Sequence, residues 1–323
     1  MLSADAQKGL DLLADMLSNA LFDEKAIEKI RAQILSDITD FWDTPGQFVG
    51  QLARDAVYGN HPYHKSYFGT RESIAAITRD YLLEAYKKYI TPQEAVLVLV
   101  GDIERYDIKK LVENSLGSWT GPAVDDIIFP SLAPIKESVI KYPINRDQTV
   151  LAFAGLSLAR TDKDYDKILL FDQILTGGAL GSMSSKLFEI REQTGLFYTA
   201  GGSLLAGAHT QPGMMFIRAI VSPDKLAQAE HLIGGVLDLG AAGTTAEDID
   251  EAKRAVIGAL IDNFATHQAI ASSLLFLETF MLPADFFDTR MQQLENITLA
   301  EVSDAVSRLV HTKNMARIYI GRM

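Results

Sequence analysis

Residues 77–101 of this chain lie over residues 297–321 without a gap. Both segments open with Ile-Thr, run through an amphipathic helical pattern of equal length, and finish in an apolar run that ends in Gly. The offset is 220 residues at both ends, 297 − 77 and 321 − 101. A second pair, FDEKAIEKIRAQILSDITDF at 22–41 and TTAEDIDEAKRAVIGALIDNF at 244–264, follows in the same order at an offset of 222, read from Ile27 and Ile249. One helix–strand match carries little weight, because such units are common; two in order at almost one offset predict a duplication. The expected architecture is α+β, two-layer, built from duplicated units whose mainly antiparallel sheets are packed by helices. If the second unit begins near Ser138, its counterpart 220 residues earlier falls before residue 1, so the expectation is one whole unit and the C-terminal part of another. A sheet short of strands leaves backbone edges and a helix face uncovered, so residues 1–120 are expected to need cover from a further polypeptide segment.

Periodicity fills in the elements. Leu10, Leu12, Leu13, Met16 and Leu17 predict a helix over 5–19, and Ile27, Ile30, Ile34, Leu35 and Ile38 predict another over 26–41. Thr44-Pro45-Gly46 ends the second and can start a third, since proline is tolerated in a first helical turn. Residues 58–70, YGNHPYHKSYFGT, carry loop punctuation. A capped helix from Ile77 leads to a strand at 95–100, and a further helix fits 108–116. Residues 121–137 begin with GPAVDDIIFPSLAP, which has three prolines and no clean period, and read as a linker. It separates residues 1–120, the part unit, from residues 138–323, the complete one. Within the latter, strands fit 138–142, 149–154, 213–221 and 315–320. Helices fit 163–175, 224–239, 245–264 continuing past Ala269, and 298–310.

Composition excludes several classes of function. The 323 residues suffice for two ordinary domains, and 48% hydrophobic with 22% charged residues is globular usage. No apolar run reaches the ~18 residues of a transmembrane helix, so no transmembrane segment is expected. The opening MLSADAQKGL lacks the basic start and apolar centre of a signal peptide. A formal charge of −12 opposes binding to a phosphate backbone, so nucleic acid is not an expected partner. With no cysteine there is no disulfide, thiolate metal site or cysteine nucleophile.

Two places invite a site. In residues 177–205, GGALGSMSSKLFEIREQTGLFYTAGGSLL, a Gly-Gly turn and a Ser-rich segment lead into a helix, a stop at Thr194-Gly195 and an aromatic strand. Ser184 or Ser185 can cap the helix start, and Gly195 suits a left-handed C-terminal cap. Arg191 and Tyr198 are seven residues apart, so one folded corner can present a guanidinium and a phenol together. On these residues alone the economical reading is that Arg191 caps its own helix dipole and Tyr198 packs half-buried. The second place is His61 and His64, the one close pair of histidines. With Pro62 between them and no nearby Glu or Cys, they read as a surface loop and not as a metal site.

The string GG-x-x-G-x-x-SSKLF-x-x-RE-x-x-GL-x-Y resembles the signature of the second half of pitrilysin/insulinase-type zinc peptidases, the inverzincins. The likeness extends along the chain: LLADML, IEKIRAQILSDI, the HPY loop, FGTRESI and a helix–strand ending in VGDI are similar to the later part of that family's first half. The resemblance implies two like halves clamped around a peptide. It implies that Arg191 and Tyr198, which match family positions reaching the bound peptide, are substrate-binding. Zinc is the family's cofactor, held by H-x-x-E-H and a later Glu, with the motif's Glu as general base. No H-x-x-E-H occurs here, the later ligand falls on Asp37, and a neighbouring family carboxylate falls on Ile30. Aspartate is one methylene shorter than glutamate, roughly 1.5 Å against a Zn–O bond of about 2.0 Å, so Asp37 reads as a solvated helix carboxylate before it reads as a metal ligand.

No cofactor and no catalytic residue are therefore expected in this chain. The expected role is that of a non-catalytic subunit that binds peptide or unfolded polypeptide, or forms a chamber wall, as a homodimer or as a heterodimer with a zinc-bearing homologue. Two alternatives stay open: a zinc metalloendopeptidase whose zinc-binding segment lies outside these residues, and a structural scaffold like the core proteins of respiratory complexes. The resemblance points to the bacterial periplasm or cell envelope, with the cytoplasm open.

Overall fold

The computed structural model describes residues 2–178 and 183–322. Gly181 and Ser182, within the signature segment, lie outside the described residues. The helices are α1 (Ala6–Ser18), α2 (Glu24–Asp43), α3 (Pro45–Tyr58), α4 (Arg71–Ala76), α5 (Arg79–Tyr89), α6 (Ile108–Leu116), α7 (Tyr165–Thr176), α8 (Lys186–Thr194), α9 (Leu226–Leu239), α10 (Ala246–Asp262), α11 (His267–Thr279), α12 (Phe286–Asn296) and α13 (Leu299–Leu309). The strands are β1 (Ser138–Pro143), β2 (Thr149–Leu156), β3 (Phe197–Ala206), β4 (Met214–Val221) and β5 (Met315–Gly321).

The duplication is visible in the helix starts. α1 and α9 begin at Ala6 and Leu226, α2 and α10 at Glu24 and Ala246, α3 and α11 at Pro45 and His267, and α5 and α13 at Arg79 and Leu299. The offsets are 220, 222, 222 and 220 residues. Thr78 and Thr298 cap the two helices of the last pair, and Gly101 and Gly321 end the paired segments at φ +148 and +145.

By spatial proximity the chain forms two compact units, one of Met1–Thr39, Phe68–Ile128 and Asp262–Met281, the other of Asp40–Tyr67, Phe129–Ile261 and Leu282–Met323. The repeat copies and the compact units thus follow different lines. The duplicated helices α3 and α11 are each assigned to the unit that holds most of the opposite copy.

The first unit is helical among its described residues. Residues 95–100, expected as a strand, have no ladder partner among the described residues and do not form a strand. Val96 and Leu97 are exposed there, whereas β5, their counterpart 220 residues on, is held between β1 and β2. An extended segment becomes a strand only when a neighbour takes its backbone groups.

The second unit contains one sheet in the order β1-β5-β2-β4-β3, antiparallel except for the β1–β5 pair. On one face Leu151, Phe153, Met215, Ile217 and Met315 pack with Ile168, Leu170 and Phe171 of α7, Ile233 of α9, and Val302 and Val306 of α13. The alternate residues Val150, Ala152, Ala154, Ala316, Ile318 and Ile320 are buried as well. Their cover is α3, which lies against β2, β4 and β5 and buries Phe48, Val49, Ala53 and Val57. Small residues at 152, 154 and 316 let the helix approach closely. The sheet is therefore covered on both faces where α3 lies.

Two other expectations change. The helix expected to run from 245 past 269 is two, because Thr266 accepts from Ala269 N–H and starts α11 anew. α4, which periodicity alone does not reveal in six residues, is framed by a reciprocal capping box of Thr70 and Ser73.

Candidate functional site

The segment that carries Arg191 and Tyr198 is built by its own punctuation. Gly177 ends α7 in the left-handed region at φ +88. Ser185 accepts from Phe188 N–H at 3.3 Å and caps α8, while Ser184 donates to Glu251 at 3.1 Å. Gly195, at φ +59, terminates α8 and turns the chain into β3.

Arg191 lies in the last turn of α8, where a cation suits the helix dipole, but among the described residues its guanidinium bonds no carbonyl of the helix end. The carbonyl end is served by others: Thr194 Oγ1 donates to Ile190 O, Gly195 N–H to Arg191 O at 2.9 Å, and Lys225 Nζ to Gly195 O at 3.4 Å. The guanidinium instead donates from Nη1 to Glu192 Oε1 at 3.0 Å and lies 5.6 Å from the Phe188 ring.

Tyr198 is 73% exposed, not half-buried. The β3–β4 register runs Phe197↔Val221 and then Thr199↔Ile220, so Tyr198 is the extra residue of a β-bulge. A bulge turns a side chain out of the regular alternation. Tyr198 accordingly stands clear of the sheet, and its hydroxyl has no hydrogen bond among the described residues.

Among the described residues β3 is an edge strand, paired with β4 alone. Its C-terminal end is closed by side chains. Asp172 of α7, 3% exposed, accepts from Leu204 N–H at 2.8 Å, Ser203 Oγ at 2.7 Å and Thr176 Oγ1 at 3.0 Å. Burial pushes the Asp172 carboxyl above the ordinary aspartate range, and those three donors offset part of that. Between Tyr198 and Gly202, by contrast, no side chain or loop backbone among the described residues bonds the outer edge. Two glycines lie in that open stretch. Gly202 is required by close packing, because a Cβ there would come within 1.9 Å of Phe216 O. A Cβ on Gly201 would meet nothing within 4 Å. Glycine inside a strand costs stability, and where packing does not demand it, it leaves room for another backbone to come close.

The residues considered for metal do not assemble. Asp37 accepts from Gln33 Nε2 at 2.8 Å on α2, and Ile30 on the same helix is 59% exposed. Among the described residues no group of three or more His, Cys, Asp or Glu is placed to hold a metal ion, so the donors zinc requires are not present there. The histidine pair is also not a surface loop throughout. His61 is 2% exposed, accepts from Tyr63 N–H on Nδ1, and stacks on Phe129 with ring centroids 5.4 Å apart. Aromatic neighbours Tyr58 and Tyr63 complete a small core that loop punctuation hides. His64 lies outside it, 3.7 Å from Asp55.

Residues 76–256 match the family model described as the peptidase M16 inactive domain, and residues 1–71 match that of insulinase, peptidase family M16. The chain is 29% identical over 269 residues to the uncharacterized zinc protease YmxG of Bacillus subtilis, a match covering 81% of this chain and 62% of that protein. It thus spans less than two thirds of that relative's length. To the non-peptidase homolog YmxG of Helicobacter pylori it is 24% identical over 309 residues, 93% of this chain and 68% of that one. The fold is shared with the crystal structure of a peptidase M16 inactive domain from Pseudomonas fluorescens, at a TM-score of 0.86 and 24% identity over 99% of this chain and 76% of that chain.

Proposed function

The chain belongs to the M16 peptidase family, and on that footing we propose that it is a non-catalytic member that holds an extended peptide on β3, beside a partner that carries the zinc. The observation that carries this reading is Tyr198, an exposed phenol raised on a bulge of an edge strand whose backbone is open from 198 to 202 among the described residues. An extended peptide can add to such an edge through its main chain. Arg191, on the helix that Gly195 joins to the strand, supplies further donors for a peptide carbonyl. Asp37, held by Gln33 Nε2 on its own helix, fits a helix carboxylate better than a ligand aimed at a metal. The unpaired apolar run at 95–100 supports a partner that lends a strand, in a dimer of like or unlike subunits. The expected compartment, periplasm or cell envelope, is checked by cell fractionation.

The test is fluorescence anisotropy with a labelled, unstructured peptide. Arg191→Ala and Tyr198→Phe are each expected to weaken binding about tenfold, the scale of one hydrogen bond lost from a site that excludes water. Affinity unchanged in both variants removes the peptide-binding reading and leaves a scaffold. Zinc retained at one equivalent, with peptide cleavage abolished by Asp37→Ala, would establish the zinc-peptidase alternative instead.

A further inference from the structure

Glu192 stands where helix physics opposes a carboxylate. It occupies the last turn of α8, whose carbonyl end repels negative charge. It also follows Arg191 directly, a spacing at which helical side chains point apart. Yet the two meet at 3.0 Å, with side chains 59% and 38% exposed. Helix stability does not account for the pair, because Thr194, Gly195 and Lys225 already serve the helix end and an ion pair this exposed contributes little.

What the pair does change is the charge presented at the end of α8, which Gly195 joins to the strand that carries Tyr198. A guanidinium has five N–H donors, and the contact with Glu192 Oε1 engages one nitrogen, Nη1. The remaining donors have no hydrogen bond among the described residues, while the adjacent carboxylate offsets the positive charge. A lone arginine favours carboxylates and phosphates, which it grips with two parallel bonds. An arginine already paired is suited to an acceptor without net charge.

We propose that Glu192 sets the ligand class of the Arg191–Tyr198 site: its carboxylate holds one edge of the guanidinium, so the site takes the uncharged carbonyl of a peptide backbone and rejects anionic groups. This rests on the peptide-binding reading above. Lys225 Nζ donates to Gly195 O at the same helix end, and no ion pair among the described residues joins it to Glu192.

The experiment uses the full chain and two fluorescein-labelled peptides of about ten residues, enough to span the open edge at ~3.3 Å per residue. They are identical except for Gln or Glu at the centre. Wild type is expected to prefer the Gln peptide. In Glu192→Gln the preference shifts about threefold toward the Glu peptide, and binding of that peptide becomes more sensitive to salt. Glu192→Asp keeps a carboxylate and should restore most of the wild-type preference. A residue with only a structural role would alter both affinities in parallel, or neither, and an unchanged ratio in Glu192→Gln overturns the proposal. If Arg191→Ala abolishes binding while that ratio stays fixed, only the role of Glu192 falls. If wild type binds neither peptide, the peptide-binding reading falls and takes this one with it.

Discussion

Asp172 does for Leu204 and Ser203 what a neighbouring strand would otherwise do, and it does so from within the core. Asp172→Ala removes the acceptor and leaves a buried N–H and a hydroxyl without a partner, an expected loss of about 3 kcal/mol in urea unfolding. Asp172→Asn keeps an acceptor for Leu204 N–H and should lose less. The two also differ in pH dependence. Because burial raises the folded pKa above the unfolded one, the folded state holds the proton more tightly. The contribution of Asp172 to stability is therefore greatest below the unfolded pKa and declines as pH rises through the folded one. Wild type should gain on Asp172→Asn as pH falls through that window. A stability difference that is flat with pH, or that widens against wild type in acid, would show that the carboxyl is not raised. None of this could be read from FDQILTGG, where Asp172 stands beside Gln173 with Thr176 nearby and nothing marks which of the polar side chains is buried.

At the scale of elements, the repeat supplies an internal control. α5 and α13 each have 11 residues and each is capped by a threonine. Thr298 also belongs to a capping box with Glu301, donating its own N–H to that carboxylate at 2.8 Å, whereas the Thr78 side chain accepts from Tyr81 N–H without a reciprocal bond from the third helical residue. Val302, Ala305 and Val306 of α13 are core residues, while α5 buries none of its side chains. Thr298→Ala should therefore cost about 1 kcal/mol, seen as a fall of a few degrees in the Tm of the main transition. Thr78→Ala should cost less and leave that transition in place. Equal effects would mean that packing does not distinguish the twins. The amphipathic pattern made both helices legible, but it carried no sign that one of them is left uncovered.

At the scale of the molecule, α3 joins the early sequence to the later sheet. Ile127 and Ile128 are exposed, the latter at 92%, in a linker with no secondary structure, while Phe129 is anchored on His61. Limited proteolysis is expected to cut there first. The N-terminal piece would still carry α3, whose Phe48, Val49, Ala53 and Val57 are buried against β2, β4 and β5, at roughly 1–3 kcal/mol each for the larger side chains. The two pieces should co-elute from a sizing column in native buffer and separate in denaturant. Separation in native buffer would mean that α3 is not held as described.

Local rules decided most of the elements: apolar spacing drew the helices, Gly195 and Ser185 bounded α8, and the 220-residue offset exposed the duplication because each copy repeats the same local code. The resemblance of 177–205 likewise singled out Arg191 and Tyr198, since that segment is contiguous. Tertiary structure alone decided what touches what. The bulge that lifts Tyr198, the burial of His61 under Phe129, the closing of the β3 edge by Asp172 and the placement of α3 on a distant sheet all join residues far apart in the chain. The run at 95–100 marks that boundary most plainly. Its residues suit a strand as well as those of β5, but a strand is a relation between two segments, and no run of residues contains its own neighbour.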